Sequence, residues 1–342
     1  MIDQKLIFIS LVSLSITLLF ILLLRPLARK LKIVDSPSQR KKHLGNIPLI
    51  GGISILLGVY FSIIGQIIDN NIFLGYMYGG LMILIIGFID DCYPFSAIFR
   101  VLIQILIVSF VIWMTELKFD TFGHSFGLND QIYLGYFSYP ITVLGIVFVT
   151  NALNLMDGAD GITGSLIIVA IMGMNVFGLL LNDFNFNPLS LALLGSLIPY
   201  LWFNITKTIK DKIFLGDSGS LFLGYSIAFL LLYETQVQNN ISPPFALWLI
   251  TIPIYDVTSV IIYRLKNGKP MLAPDSNHLH HFLQRLGLTN IKVLLTIVGL
   301  GAIAFILALL IEFNAPLISF PVFLSFLFIY VWIRVFSRYS KI

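Results

Sequence analysis

Leu6-Ile-Phe-Ile-Ser-Leu-Val-Ser-Leu-Ser-Ile-Thr-Leu-Leu-Phe-Ile-Leu-Leu-Leu24 is the stretch that decides the fold. It is an apolar run of roughly twenty residues, the length that crosses a bilayer as a helix. A signal peptide has a shorter apolar centre and a small-residue cleavage site after it. Here the run is longer and no such site comes after it. The next stretch, from Arg25 to Lys42, is basic. The reading is a first transmembrane helix with a cytoplasmic anchor.

The rest of the chain repeats that theme. Of its 342 residues, 58% are hydrophobic and 11% charged, with a mean hydropathy of +0.93. A soluble domain carries about 25% charged residues, so this composition cannot cover a water-soluble fold. Apolar segments near 5–24, 47–67, 72–89, 97–115, 132–150, 162–181, 189–205, 219–233, 245–263, 292–312 and 316–335 predict an all-α polytopic membrane protein of about eleven spans. No repeat, low-complexity tract or soluble domain interrupts them, so residues 1–342 read as one integral-membrane domain. The single cysteine, Cys92, rules out an intramolecular disulfide. The net charge of +4 reflects juxtamembrane Lys and Arg and does not point to nucleic acid.

Those basic residues also orient the chain. With the amino terminus outside, the connections 25–46, 90–96, 151–161, 206–218 and 264–291 and the carboxyl tail face the cytoplasm. Only Lys5 and Lys118 of the 21 Lys and Arg then lie outside, as the positive-inside rule requires. Acidic residues show no such bias.

Polar groups that look out of place fall on the same side. Asp90-Asp91 ends the third span. Two adjacent carboxylates at an apolar boundary repel, and such a pair can accept a proton or help hold a cation. A solvated helix end is the plainer reading. Asn151, Asn154, Asp157 and Asp160 come after the fifth span at intervals of three, close to one helix face. Their oxygens are the hard ligands Mg²⁺ prefers; an ordinary Asn/Asp/Gly turn is the alternative. Phe214-Leu-Gly216-Asp217-Ser-Gly-Ser220 sets a carboxylate in a Gly-rich helix entry, where backbone N–H groups can meet phosphate oxygens. Asp256 lies near the inner end of the ninth span, where a charge needs a partner or a wet cavity. Asp275 and His278-Leu-His280-His281 come next. Imidazoles can bind metal, but a structural zinc site without thiols is disfavoured. Anion binding by His⁺ donors is preferred, helped by Arg264, Lys266 and Lys269. Arg100 is placed to pair with a carboxylate or a lipid phosphate, or to snorkel.

Together these residues resemble the polyprenyl-phosphate N-acetylhexosamine-1-phosphate transferases, the MraY/WecA superfamily, and most closely its WecA type. The resemblance runs through Arg40-Lys-Lys42-His43, Ile47-Pro-Leu-Ile-Gly51-Gly52, Asp90-Asp91, Ser96 with Arg100 and Gln104, and Asn151 to Gly161. It continues through Phe214 to Ser220, Ile241-Ser-Pro, Pro253 with Asp256, Gly268, and Asp275 to His281. It implies transfer of N-acetylglucosamine-1-phosphate, or another N-acetylhexosamine-1-phosphate, from the UDP-sugar to undecaprenyl phosphate. UMP is released, as the first step of a cell-surface polysaccharide such as O-antigen. Mg²⁺ is the implied cofactor, with Mn²⁺ as a substitute, and the implied place is the bacterial inner membrane with the site on the cytoplasmic face.

The resemblance further implies Mg²⁺ binding by Asp217 with Asn154, and proton removal from the lipid phosphate by Asp90 supported by Asp91. Asp157 and Asp160 match positions for metal or uridine, Phe214 a uracil-side aromatic, and Gly216 a substrate-binding position. Arg100, His278, His280 and His281 match phosphate-binding positions, and Lys42, His43 and Arg264 match substrate-binding ones. A homodimer is one assembly it leaves open. The chain departs from some relatives in having Cys92, Tyr93 and Pro94 after the Asp pair in place of a third acid. Leu279 interrupts the three consecutive histidines of MraY enzymes, which argues against a muramyl-pentapeptide substrate.

Two other classes fit the pattern less well. A secondary transporter would hold its polar groups near the midplane, whereas these gather at one interface. An intramembrane protease would need its aspartates on facing helices inside the bilayer.

Overall fold

In hydrocarbon a backbone must satisfy its own N–H and C=O groups, so apolar runs become helices. The computed structural model describes residues 4–37, 45–66, 70–128, 130–181, 186–272 and 277–336. Helix α1 (Gln4–Leu31) is followed by strands β1 (Val34–Asp35) and β2 (Ile47–Pro48), which pair antiparallel, and by α2 (Gly51–Ile63). Helices α3 (Asn71–Cys92) and α4 (Ala97–Thr115) lead to a second antiparallel pair, β3 (Thr121–His124) and β4 (Gln131–Tyr133). Then come α5 (Ser138–Met156), α6 (Ile162–Leu180), α7 (Pro188–Ile205) and α8 (Gly216–Gln236). The chain ends through α9 (Pro243–Leu249), α10 (Thr251–Lys266), α11 (Leu279–Arg285), α12 (Asn290–Asn314) and α13 (Ser319–Val331).

Each expected apolar segment is mainly helical, although 47–67 and 132–150 begin in β2 and β4 and 245–263 is broken between α9 and α10. The fold is that of a polytopic helical membrane protein. The two short ladders are its departure from a purely helical chain. Eight helices among the described residues are long and apolar enough to cross a membrane. The pair α9 and α10 is apolar enough to join that set if it counts as one segment, bent by 78° at its break. Helix α2 has only 13 residues. Helix α8 is long enough, but Asp217, Glu234 and its glycines and serines make it too polar for that set.

The polarity of α8 reflects its place. Every residue from Ser218 to Thr235 is buried, so α8 is the axis of the bundle, touched by protein on all sides. It packs on α3, α5 and α2. Small residues bring the backbones together: a Cβ on Gly52 would lie 2.4 Å from the Gly219 Cα, and one on Gly87 2.5 Å from the Ser218 Cα. The first turn of α8 is thereby wedged between α2 and α3. At the opposite end, the Glu234 carboxylate accepts from Asn187 and Asn240, each at 2.7 Å. Helices α1, α12 and α13 lie at the periphery and expose leucine, isoleucine and phenylalanine.

Candidate active site

Three chain segments meet at the entry to α8. Asp91, in the last turn of α3, accepts from the backbone N–H of Asp217 at 2.8 Å and of Ser218 at 3.1 Å. It caps α8 as an N-terminal carboxylate does, satisfying donors that a helix start leaves open. The sequence expectation of a phosphate cradle at those N–H groups is corrected: the Asp91 side chain already occupies them. Gly216 serves the same contact. Its φ is +74°, and a Cβ there would come within 2.6 Å of Asp91 Oδ2.

Asp90 turns elsewhere, so the pair does not form a shared dyad. It is buried, and its Oδ1 accepts from Phe95 N–H and its Oδ2 from Arg100 Nη1, both at 2.6 Å. Arg100 Nη1 also lies 4.0 Å from Asp217 Oδ2. Asn154, on α5, donates to Asp217 Oδ1 at 2.7 Å and to Ser220 Oγ at 2.8 Å. Asp217 remains half-exposed, at a solvent-reachable edge of this network.

The Asn151–Asp160 series does not continue as one helix face. Helix α5 stops at Met156, with Asp157 as its cap, and Gly161 turns the chain with φ +78°. Asn151 looks away from Asp217 and donates to Gln104 Oε1 on α4 at 2.5 Å. Asp157 keeps part of its surface open, yet the protein closes around its carboxyl. Burial pushes its pKa up to about 7, against a hydrogen bond from Thr163, and the charges of Asp217, Asp160 and Asp91 add to the rise. Asp160 pairs with Lys212 Nζ at 2.5 Å. That ammonium also stands 5.6 Å from the Phe214 ring centroid, within cation–π range. Phe214 is fixed by its backbone: its N–H donates to Pro48 O at 2.9 Å, and its carbonyl accepts from Gly51 N–H at 3.0 Å.

The histidine segment reaches the same end of the bundle. His280 is packed so close to Gly158 that a Cβ there would lie 1.9 Å from its Nε2. The sequence predicts a cationic donor at His280, and the structure corrects this. Burial, then His281 and His278, lower its pKa to about 3, so the ring is neutral. Among the described residues, neither of its ring nitrogens has a hydrogen-bond partner. The His281 ring lies tilted beside it, with centroids 4.1 Å apart. His278 Nδ1 pairs with Asp256 Oδ2 at 2.8 Å, and Asp256 Oδ1 accepts from Leu279 N–H at 2.8 Å, which gives the costly intramembrane acid its partner.

Arg264 is buried and donates to the Met271 carbonyl at 2.5 Å. Lys266 turns away, onto Val335 O and the Phe336 ring. Lys42, His43 and Asp275 lie outside the described residues.

Residues 73–235 match the profile described as glycosyl transferase family 4. Over 341 residues the chain is 35% identical to a protein of Bacillus subtilis (strain 168) named probable undecaprenyl-phosphate N-acetylglucosaminyl 1-phosphate transferase. That match covers 97% of this chain and 91% of the relative. The chain belongs to this transferase family. Two further family members are named undecaprenyl-phosphate alpha-N-acetylglucosaminyl 1-phosphate transferase. The protein of Yersinia pestis is 34% identical over 84% of this chain and 78% of its own length. That of Escherichia coli (strain K12) is 31% identical over 87% and 82%. The family profile spans α3 to α8, and so contains Asp90, Asp91, Arg100, Asn154, Asp157, Asp160 and Asp217; the histidine segment lies beyond it.

Several partners in this family site are not legible in the sequence. Lys212 sits in a Lys-Asp-Lys run that reads as a membrane anchor. Arg25, read as part of the basic anchor, pairs with Asp211 at 3.0 Å and steadies the same loop. Arg334 approaches Asp256 Oδ1 at 3.9 Å and donates to Asn277 O. Its position near the chain end carries no signal.

Among the described residues no three His, Cys, Asp or Glu groups converge tightly enough to enclose a metal. The donor set nonetheless fits a divalent cation. Asp217 keeps a half-exposed carboxylate with the Asn154 amide beside it, hard oxygen donors of the kind Mg²⁺ takes. The charges of Asp217, Asp160 and Asp91 add, after burial, to the raised pKa of Asp157.

Proposed function

We propose that this protein transfers N-acetylhexosamine-1-phosphate, most simply N-acetylglucosamine-1-phosphate, from the UDP-sugar to undecaprenyl phosphate with release of UMP. The observation that carries the proposal is the cluster of Asp90 bonded to Arg100 and Asn154 bonded to Asp217, with Arg100 and Asp217 4.0 Å apart. It is drawn from separate helices to one end of a membrane bundle and lies within the family's shared region. Phosphoryl transfer asks a protein for positioning and charge neutralisation more than for covalent help. The site offers both.

Asp217 and Asn154 would hold Mg²⁺, with Mn²⁺ as a substitute, and the ion would neutralise the diphosphate and make UMP a better leaving group. Asp91 holds the turn that presents Asp217. Arg100 receives the lipid phosphate at the membrane edge of the cluster. Phe214, backed by Lys212 and Asp160, offers an aromatic face for the uracil. His280, neutral, and His278, oriented by Asp256, line the sugar-phosphate side with Asp157; Arg264 holds the loop from which they come. An oxygen of the lipid phosphate forms a bond to the β-phosphorus, and the bond from that phosphorus to the UMP oxygen breaks.

The same reading places eleven spans in the inner membrane, with α2 and α8 among them, the amino terminus outside and the site on the cytoplasmic face. Initiation of a cell-surface polysaccharide is the corresponding role. Exchange of radiolabelled UMP into the UDP-sugar pool tests the reaction. With undecaprenyl-pyrophosphoryl-N-acetylglucosamine and Mg²⁺ supplied in detergent, label should enter UDP-N-acetylglucosamine. No incorporation by intact protein would sink the proposal.

A further inference from the structure

Asp90 is the residue whose contacts fit least well with the proton-acceptor role implied by resemblance. Both of its oxygens are committed, Oδ1 to Phe95 N–H and Oδ2 to Arg100 Nη1, each at 2.6 Å, and its side chain is 5% exposed. These contacts span one corner. Asp90 sits in the last turn of α3, Phe95 lies in the connection, and Arg100 is in the first turn of α4, whose start Ser96 caps through Phe99 N–H. The carboxylate therefore fixes both the corner and the guanidinium that projects from it. It holds Arg100 at 2.6 Å while the same Nη1 stays 4.0 Å from Asp217 Oδ2. Without Asp90, the half-exposed Asp217 would be the nearest anion for Arg100 to close upon.

Two further facts separate positioning from proton transfer. The Arg100 Nε is buried and has no hydrogen-bond partner among the described residues. A buried donor left unpaired on a cation is costly, and the Asp90 carboxylate is the group that holds the guanidinium there. Guanidinium binds phosphate well because its donors form a fixed fork. The second fact is the proton balance of the proposed reaction. A phosphate monoester has its second pKa near about 6, so the lipid phosphate is mostly a dianion at neutral pH. A lipid-phosphate dianion and a UDP-sugar dianion give a diphosphate dianion and a UMP dianion. Charge balances with no proton moved, and no base is required.

We infer that Asp90 is a positioning residue that presents the Arg100 guanidinium to the lipid phosphate, and that it does not take a proton in the reaction. This rests on the transferase reading above. The test compares Asp90→Asn, Arg100→Gln, Arg100→Lys and the double variant D90N/R100Q in UMP release, with KM for undecaprenyl phosphate and the pH profile measured for each. UMP binding by calorimetry shows that each variant is folded. Asp90→Asn and Arg100→Gln should each raise that KM about 10- to 100-fold, the range of a lost charge-assisted hydrogen bond. The double variant should be no worse than the poorer single one, because the two act as a unit. Arg100→Lys should recover part of the loss. The residual activity of Asp90→Asn should keep the wild-type pH profile. Multiplied losses in the double variant, or an Asp90→Asn rate that climbs with pH where the wild type is flat, would overturn the inference. A wild type that binds UMP yet releases none from UDP-sugar and lipid phosphate would instead overturn the transferase reading itself.

Discussion

At the scale of single residues, the site separates groups that hold from groups that face outward. Asp91 and Asp90 spend their oxygens on the protein, whereas Asp217 keeps a half-exposed carboxylate with Asn154 on one side and Arg100 on the other. Asp217→Asn should therefore lower UMP release by about 100-fold or more, the usual loss when a group stabilising transition-state charge is removed. The variant should also lose its dependence on Mg²⁺ concentration, which a metal titration of the rate would read. A variant within a few fold of wild type would remove Asp217 from the metal site. His280 makes a pH prediction. Its pKa is 6.5 unperturbed and about 3 in the folded chain. Between these values the unfolded chain binds the proton and the folded chain does not. Its contribution to stability is thus intact above 6.5 and is lost as pH falls toward 3. Thermal unfolding in detergent should show His280→Asn losing less stability than wild type between about pH 7 and 5; parallel curves would contradict the burial.

At the scale of elements, α8 does most to build the site. Its sequence is too polar for a lipid-facing helix, and its neighbours make that polarity tolerable by burying it completely. Asp91 joins α3 to the start of α8, so the loss of one side chain should act on a whole helix. Asp91→Ala should cost about 1 kcal/mol of stability, as removal of an N-terminal cap does. It should cost more in UMP release than in stability, because the turn that carries Asp217 loses its anchor. Thermal shift and turnover measured on the same preparation check this; a variant with full activity would show that α2 and α3 alone hold the turn. The helix entry at Phe214–Ser220 is recognisable as a site from its sequence, but its use is not. The Gly-rich spelling reads equally as a cradle for phosphate and as a seat for a carboxylate. Only the arrival of Asp91 from a segment over a hundred residues away decides between them. The same holds for the Asn151–Asp160 spacing, where α5 ends at Met156 so that Asp157 and Asp160 leave the helix, while Asn151, still within α5, faces Gln104 on α4.

At the scale of the molecule, sidedness is a property that chemical labelling can read. Cys92 is exposed at the end of α3, next to the site, and Tyr136 is fully exposed before α5, at the opposite end of the bundle. In intact cells a membrane-impermeant thiol reagent should leave Cys92 unlabelled. It should label Tyr136→Cys in a Cys92→Ser background. The reverse pattern would invert the proposed orientation. Composition and the length of the apolar runs were enough by themselves to establish a helical membrane protein with its odd polar residues on one side. That much is legible because a bilayer imposes helix, length and apolarity on each segment independently. The tertiary structure decided which polar groups meet: Asp90 with Arg100, Asp91 with the head of α8, Asp160 with Lys212, and Asp256 with His278. Partner choice depends on how helices distant in sequence pack against one another, and small residues such as Gly52, Gly87 and Gly158 set that packing through contacts that no local pattern encodes.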